Sequence, residues 1–150
     1  MIQIHLKYNI VEAHLYGNIG DLKINAFAGS GGRAMTKTKG AENWYLENNW
    51  KATFVKKTSS NLGGPLPLGK YKLRIHESRS NWIRLIPLTS TYMGGRAGMA
   101  IHGRGPRGSD GCIVPNSFKV VTDLVSKLKE INFEPILEVV AIGDLTINKA

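Results

Sequence analysis

The stretch that decides the fold is Met1-Ile-Gln-Ile-His-Leu-Lys-Tyr-Asn-Ile10, in which Ile2, Ile4 and Leu6 alternate with Gln3, His5 and Lys7. An apolar residue at every second position places one row of side chains on each face of an extended chain, so this is a strand with one buried face. The next run, Ile10 to Tyr16, is less regular and reaches Gly17-Asn18, and with Tyr8-Asn9 between the two runs the pair reads as a hairpin. Leu22, Ile24 and Ala26 alternate with Lys23 and Asn25 in a third strand that stops at Gly29-Ser-Gly-Gly32.

Working outward, the same period recurs. Gly63-Gly-Pro-Leu-Pro-Leu-Gly-Lys-Tyr71 fixes a turn before a strand at Lys70 to Ile75, Trp82 to Ile86 forms another, and Gly98 to His102 a further one that ends on a histidine. Asn116 or Ser117 is placed to cap a helix whose apolar positions Val120, Val121, Leu124, Leu128 and Ile131 keep helical spacing. Ile136 to Ile142 closes the chain as a mostly apolar strand. The expectation is a mainly β fold, an antiparallel sandwich or barrel with one principal α-helix, in a single domain over residues 1–150. Residues 33–66 lack periodicity apart from the aromatic island Asn43 to Trp50, which reads either as a functional insertion or lid, or as a cap on one end of the core.

Composition narrows the function classes. The net charge of +9, from 20 Lys and Arg against 11 Asp and Glu, favours anionic polymers such as cell-wall material, nucleic acid or anionic lipid without choosing among them. The basic residues are scattered and form no nucleic-acid tail. No window approaches eighteen apolar residues in a row, so membrane insertion is not expected. The N-terminal run has no basic segment followed by an unbroken apolar one, so the expectation is synthesis in the cytoplasm without a signal peptide.

The chemistry is concentrated at Ser109-Asp-Gly-Cys-Ile-Val-Pro115, which holds the chain's one cysteine. Cys112 cannot form an internal disulfide, and its setting of Gly103, Gly105, Pro106, Gly108 and Gly111 makes a poor apolar wall for a structural thiol. A thiol becomes a nucleophile when a base or a positive environment favours its thiolate. Gly111 leaves room for a substrate carbonyl and for backbone N–H donors, and a helix start shortly after Cys112 is expected to favour negative charge there.

The base is to be found among His5, His14, His76 and His102. All four precede the cysteine, the reverse of the papain-like order. His102 ends a strand with small neighbours, and the excursion from His102 to Cys112 can fold back to bring imidazole and thiol together. His5 and His14 read as outward-facing strand residues, with His76 the weaker rival. A zinc site built on His102, Asp110 and Cys112 lacks a second Cys or His pair, so neither a metal nor a cofactor is expected.

Ile101-His-Gly103 followed by Ser109-Asp-Gly-Cys-Ile113 resembles the active-site signature of the L,D-transpeptidase (YkuD-type) catalytic domain: a histidine, a short loop, then Ser or Thr, His, Gly, Cys and an apolar residue. The likeness is closer to the small branch typified by type VI secretion L,D-transpeptidase effectors, and extends to Ala26-Phe-Ala-Gly-Ser-Gly-Gly32 and Gly64-Pro-Leu-Pro-Leu-Gly-Lys-Tyr71. Asp110 stands where the wider signature has histidine, and Val114 where many members have arginine.

The resemblance implies a cysteine enzyme acting on peptidoglycan stem peptides at the bond between meso-diaminopimelate and D-alanine. It would be an L,D-carboxypeptidase or L,D-transpeptidase working as a secreted antibacterial effector in the periplasm of a target bacterium. An immunity protein and a secretion-apparatus component would be its partners. In that reading His102 is the base and Cys112 the nucleophile. Ser109, Asp110 and Gly111 complete the catalytic group, with Ser109 and the backbone around Gly103 orienting the imidazole. Gly103, Arg104, Arg107, Trp44, Trp50 and Ser30 contact substrate, with Arg104 or Arg107 supplying the cation absent from position 114. The competing class is a non-catalytic basic β domain that holds wall glycan or nucleic acid through Lys, Arg and Trp; it gives no reason for a histidine and a cysteine to flank one glycine-rich loop.

Overall fold

The structure, a computed structural model, describes residues 2–30, 66–91, 93, 98–103 and 112–143. The fold is mainly β, with one helix among the described residues. The first strand, β1 (Leu6–Asn9), pairs antiparallel with β2 (His14–Ile19), and β2 pairs with β3 (Leu22–Gly29) across the two-residue turn Gly20-Asp21. Next come β4 (Gly69–Ile75), β5 (Ile83–Pro87), β6 (Ala100–Ile101) and β7 (Val114–Pro115), then the helix α1 (Phe118–Glu130) and β8 (Ile136–Val140).

The sheet runs β6-β5-β4-β8-β1-β2-β3-β7. Most pairs are antiparallel as expected, but β1 and β8 are parallel. A parallel pair needs a long crossover, and these two strands have the rest of the fold between them to provide it. The two ends of the sheet nearly meet. Ile113, immediately before β7, bridges in parallel to Ile101 of β6, while Val114 and Pro115 pair with Gly29 and Ala28 of β3. Residues 113–115 therefore join both edges and all but close the sheet into a barrel, which leaves little unpaired edge.

The alternation read from the sequence supplies the interior. Leu6, Tyr8, Leu15, Ile19, Leu73, Ile83, Ile101 and Ile113 are all fully buried in one apolar cluster. Tyr8 satisfies its hydroxyl by donating to the Ala28 carbonyl at 2.7 Å, so the ring is buried without leaving a polar atom unpaired. The helix begins at Ser117, whose side chain accepts the Lys119 N–H, and buries Val121 and Leu124 against the strands. Each fully buried aliphatic side chain contributes about 2 kcal/mol. On its last turn Lys127 pairs with Glu130 and with Asp21 of the β2–β3 turn, tying the helix to that hairpin.

Two sequence expectations for the first hairpin are corrected. Tyr8 and Asn9 belong to β1, and the turn is Ile10 to Ala13, where Ile10, Val11 and Ala13 are buried. An apolar run that looks like a strand is here a turn folded into the core. Asn9 makes it possible: its Oδ1 accepts the N–H groups of Val11 and Ile142 (both 3.1 Å), and its Nδ2 donates to the Ile142 carbonyl at 2.9 Å. Gly17-Asn18, read as the end of the second strand, lies inside β2, which continues to Ile19. Gly17 has φ +139, and a Cβ there would sit 2.2 Å from the His5 carbonyl oxygen, so the glycine permits close backbone approach within the sheet.

Asn9→Ala is expected to cost roughly 2–3 kcal/mol, because one buried and two part-buried backbone hydrogen bonds are lost. That corresponds to a melting temperature lower by more than about 4 °C for a chain of this size, and a thermal melt unchanged from wild type would contradict the role given to Asn9.

Candidate active site

The segment that closes the barrel also sets the position of the cysteine. Ile113 donates its N–H to Ala100 O at 2.9 Å, and His102 donates its N–H to Ile113 O at 3.1 Å, which fixes the register of the two chains. Ile101 and Ile113 point into the core. Their neighbours His102 and Cys112 therefore both project from the opposite face of the wall. In this parallel register they are diagonal neighbours, with Cα atoms about 8 Å apart, from a strand spacing near 4.8 Å and an offset of two residues. The excursion from His102 to Cys112 thus returns the chain beside its starting point.

His102 is 8% exposed, whereas Cys112 is half-buried. The imidazole Nδ1 lies 2.6 Å from the carbonyl oxygen of Gly103. A carbonyl only accepts, so Nδ1 carries the hydrogen and Nε2 keeps its lone pair, the form required of a base. Burial pushes the His102 pKa down; the hydrogen bond to Gly103 opposes this, and the Arg79 charge adds to it. The ring is therefore neutral at pH 7.

The other three histidines are committed elsewhere. His5 accepts the Ile136 N–H at Nδ1 (3.1 Å). His14 lies 2.6 Å through Nε2 from Asn25 Oδ1 and stacks on Tyr16. His76 accepts the N–H groups of Ser78 and Arg79 (3.1 and 3.0 Å) and so caps the β4–β5 turn. Of the four, only His102 stands on the chain paired with the cysteine segment.

Two neighbours of His102 were not legible in the sequence. Trp82 stacks on the imidazole with ring centroids 4.2 Å apart and planes 13° apart, and the Arg79 guanidinium carbon lies 4.4 Å from the Trp82 centroid. The pairing explains the contact: Ile83 faces Ile101, so the next position outward puts Trp82 opposite His102. Alternation along the strand shows which face Trp82 occupies; only the pairing shows what it faces. Arg74 and Arg84 pair with Glu134 and Glu77, whereas Arg79 pairs with no carboxylate among the described residues. Phe118, 53% exposed, packs beside Gly103, where a Cβ would meet its ring at 2.8 Å.

The remaining expected site residues divide three ways. Gly103 lies at the site and orients the imidazole through its carbonyl. Ser30, expected to contact substrate, is fully buried and accepts the Leu66 N–H at 2.9 Å; it ties the end of β3 to the chain re-entering before β4. Ser109, Asp110, Gly111, Arg104, Arg107, Trp44 and Trp50, and the insertion up to residue 65, lie outside the described residues. Val114 is buried in the barrel seam, which accounts for an apolar residue there.

Between Cys112 and the cap of α1 at Ser117 stands β7 (Val114–Pro115).

Burial also holds His5 below the ordinary histidine value. For His5 and His102 the unfolded chain takes up its proton near pH 6.5 while the folded chain resists it. The unfolded state then binds more protons below that pH, so this contribution is fully present above about 6.5 and is lost as pH falls. The urea midpoint is expected to drop between pH 7.5 and 5.5, a window in which carboxylates stay ionised. A midpoint that rises on acidification would contradict it.

Compared with protein families, curated proteins and solved structures, the chain gives no match.

Proposed function

We propose that the protein is a cysteine-dependent peptidoglycan enzyme that cleaves or exchanges the terminal D-alanine of stem tetrapeptides, as the signature around His102 and Cys112 suggests. The observation that carries this reading is the parallel bridge between Ile101 and Ile113, which sets a half-buried thiol and a neutral imidazole with an available Nε2 on one face of the barrel wall.

In the proposed reaction Nε2 of His102 takes the proton of the Cys112 thiol, and the thiolate attacks the carbonyl carbon at the L-centre of meso-diaminopimelate. A C–S bond forms as the carbonyl π-bond opens to an oxyanion, held by the N–H groups of Gly111 and Cys112. The oxyanion collapses, the C–N bond breaks, and the imidazolium gives its proton to the departing D-alanine amine. The thioester is then attacked by water, or by the amine of a D-amino acid or second stem, with His102 accepting the attacking group's proton and returning it to the sulfur. Water gives L,D-carboxypeptidase activity, and an amine gives exchange or cross-linking.

The basic surface favours approach to the anionic wall. Action in the periplasm of a target cell as a secreted antibacterial effector, with an immunity protein as partner, is the setting in which this chemistry would be toxic. The test is mass spectrometry of purified tetrapeptide muropeptides incubated with the protein, with and without a free D-amino acid. Loss of one D-alanine mass, or its replacement by the added amino acid, is expected; muropeptides left intact under both conditions would overturn the proposal.

A further inference from the structure

The β4–β5 turn builds a support beneath His102 that a bare cysteine–histidine pair does not need. His76 locks the turn by accepting two successive N–H groups, from Ser78 and Arg79. Asn81, at φ +58, folds the chain back into Trp82. His76 meets the Trp82 ring edge-on at 6.0 Å, Arg79 lies over that ring, and Trp82 lies flat against His102. Each member is held by something other than the base: Trp82 by the pairing of β5 with β6, and Arg79 by the capped turn.

An imidazole with a single hydrogen bond can still rotate about its Cβ–Cγ bond, exchanging Nδ1 and Nε2. Half-way through such a turn the ring stands perpendicular to its present plane. An indole 4.2 Å away and nearly parallel blocks that passage. The hydrogen bond to Gly103 selects one of the two remaining orientations. We propose that Trp82, steadied by Arg79, is a positioning residue for the base: it fixes the ring plane of His102 so that Nδ1 stays on the Gly103 carbonyl and Nε2 is kept for the thiol.

This role rests on the reading of His102 as the base of the cysteine reaction. The charged and titratable groups around the ring are consistent with it. Arg79 and His76 come from the turn, and Arg84 on the Trp82 face of β5 is neutralised by Glu77. Cys112 comes from the closing segment. Among the described residues Arg79 pairs with no carboxylate, and its charge adds to burial in lowering the His102 pKa.

The test uses the full chain labelled with ¹⁵N-histidine and reads the His102 tautomer and titration by two-bond ¹H–¹⁵N spectra from pH 5 to 8. It compares wild type with Trp82→Phe, Trp82→Leu and Arg79→Gln. Wild type and Trp82→Phe are expected to show the Nδ1–H tautomer alone. Trp82→Leu should show both tautomers and a titration moved upward, with kcat for D-alanine release lowered tenfold or more and KM changed less than about twofold. Arg79→Gln should keep the tautomer and move the titration upward.

Unchanged spectra in Trp82→Leu, or a Trp82→Phe protein as impaired as Trp82→Leu, would overturn the inference. If Trp82→Leu does not fold, an unmoved His102 titration in Arg79→Gln overturns it alone, since that exposed side chain can be changed without disturbing the core. A wild-type protein that shows the tautomer but releases no D-alanine would remove the enzyme reading and leave the stack's effect on the ring standing, so the two failures are distinguishable.

Discussion

Cys112→Ala is expected to lower D-alanine release from tetrapeptide muropeptides by roughly 10⁴-fold or more while leaving the melting temperature within a few degrees of wild type. The size follows from removing a nucleophile outright: what remains is the modest catalysis of binding and of any oxyanion donors, and residues that act as one unit lose nearly everything together. The fold should survive because the change removes one half-buried atom, and the Ile113 N–H and carbonyl that hold the barrel seam are backbone groups. His102→Asn is the companion change. An asparagine amide can still donate to Gly103 O in place of Nδ1, but it offers no basic nitrogen where Nε2 stands. Its loss should be of similar order, and the double variant should be scarcely worse than either. Cys112→Ala protein that still releases D-alanine at a wild-type rate would remove the mechanism; a large loss accompanied by unfolding would instead point to the seam.

Gly17→Ala is expected to be the most damaging small substitution away from the site, costing roughly 3–5 kcal/mol. Two effects add. The backbone at φ +139 is one that a residue with a Cβ adopts only under strain of about 1–3 kcal/mol. The added carbon would also stand 2.2 Å from His5 O and 2.9 Å from Leu6 Cα, both backbone atoms of a paired strand that cannot swing aside. The clash is the larger effect, and Gly98 provides the control. It also has positive φ, at +78, but a Cβ there meets nothing within 4 Å, so Gly98→Ala should cost only the strain, about 1 kcal/mol. Urea midpoints of the two variants check the comparison; equal losses would mean that strain rather than contact governs Gly17.

The sequence by itself determined the strands from β3 to β6, the closing strand β8, and the helix with its cap at Asn116 or Ser117, because each rests on a local period or a local hydrogen bond that the residues carry with them. It also singled out His102 and Cys112, since a histidine ending a strand and a thiol among glycines are visible without coordinates. Tertiary structure alone decided what depends on which chains lie side by side. It turned Ile10 to Ala13 into a buried turn held by a contact from Asn9 to Ile142, and made Gly17 a point of close approach rather than a strand end. It placed β7 between the cysteine and the helix, and brought Trp82 and Arg79 onto His102. Periodicity records which face a residue occupies, but not which residue of another strand occupies the facing position. The register of β5 with β6, and of β6 with the cysteine segment, is set by how the closed barrel packs its interior, and the candidate site is a product of that closure.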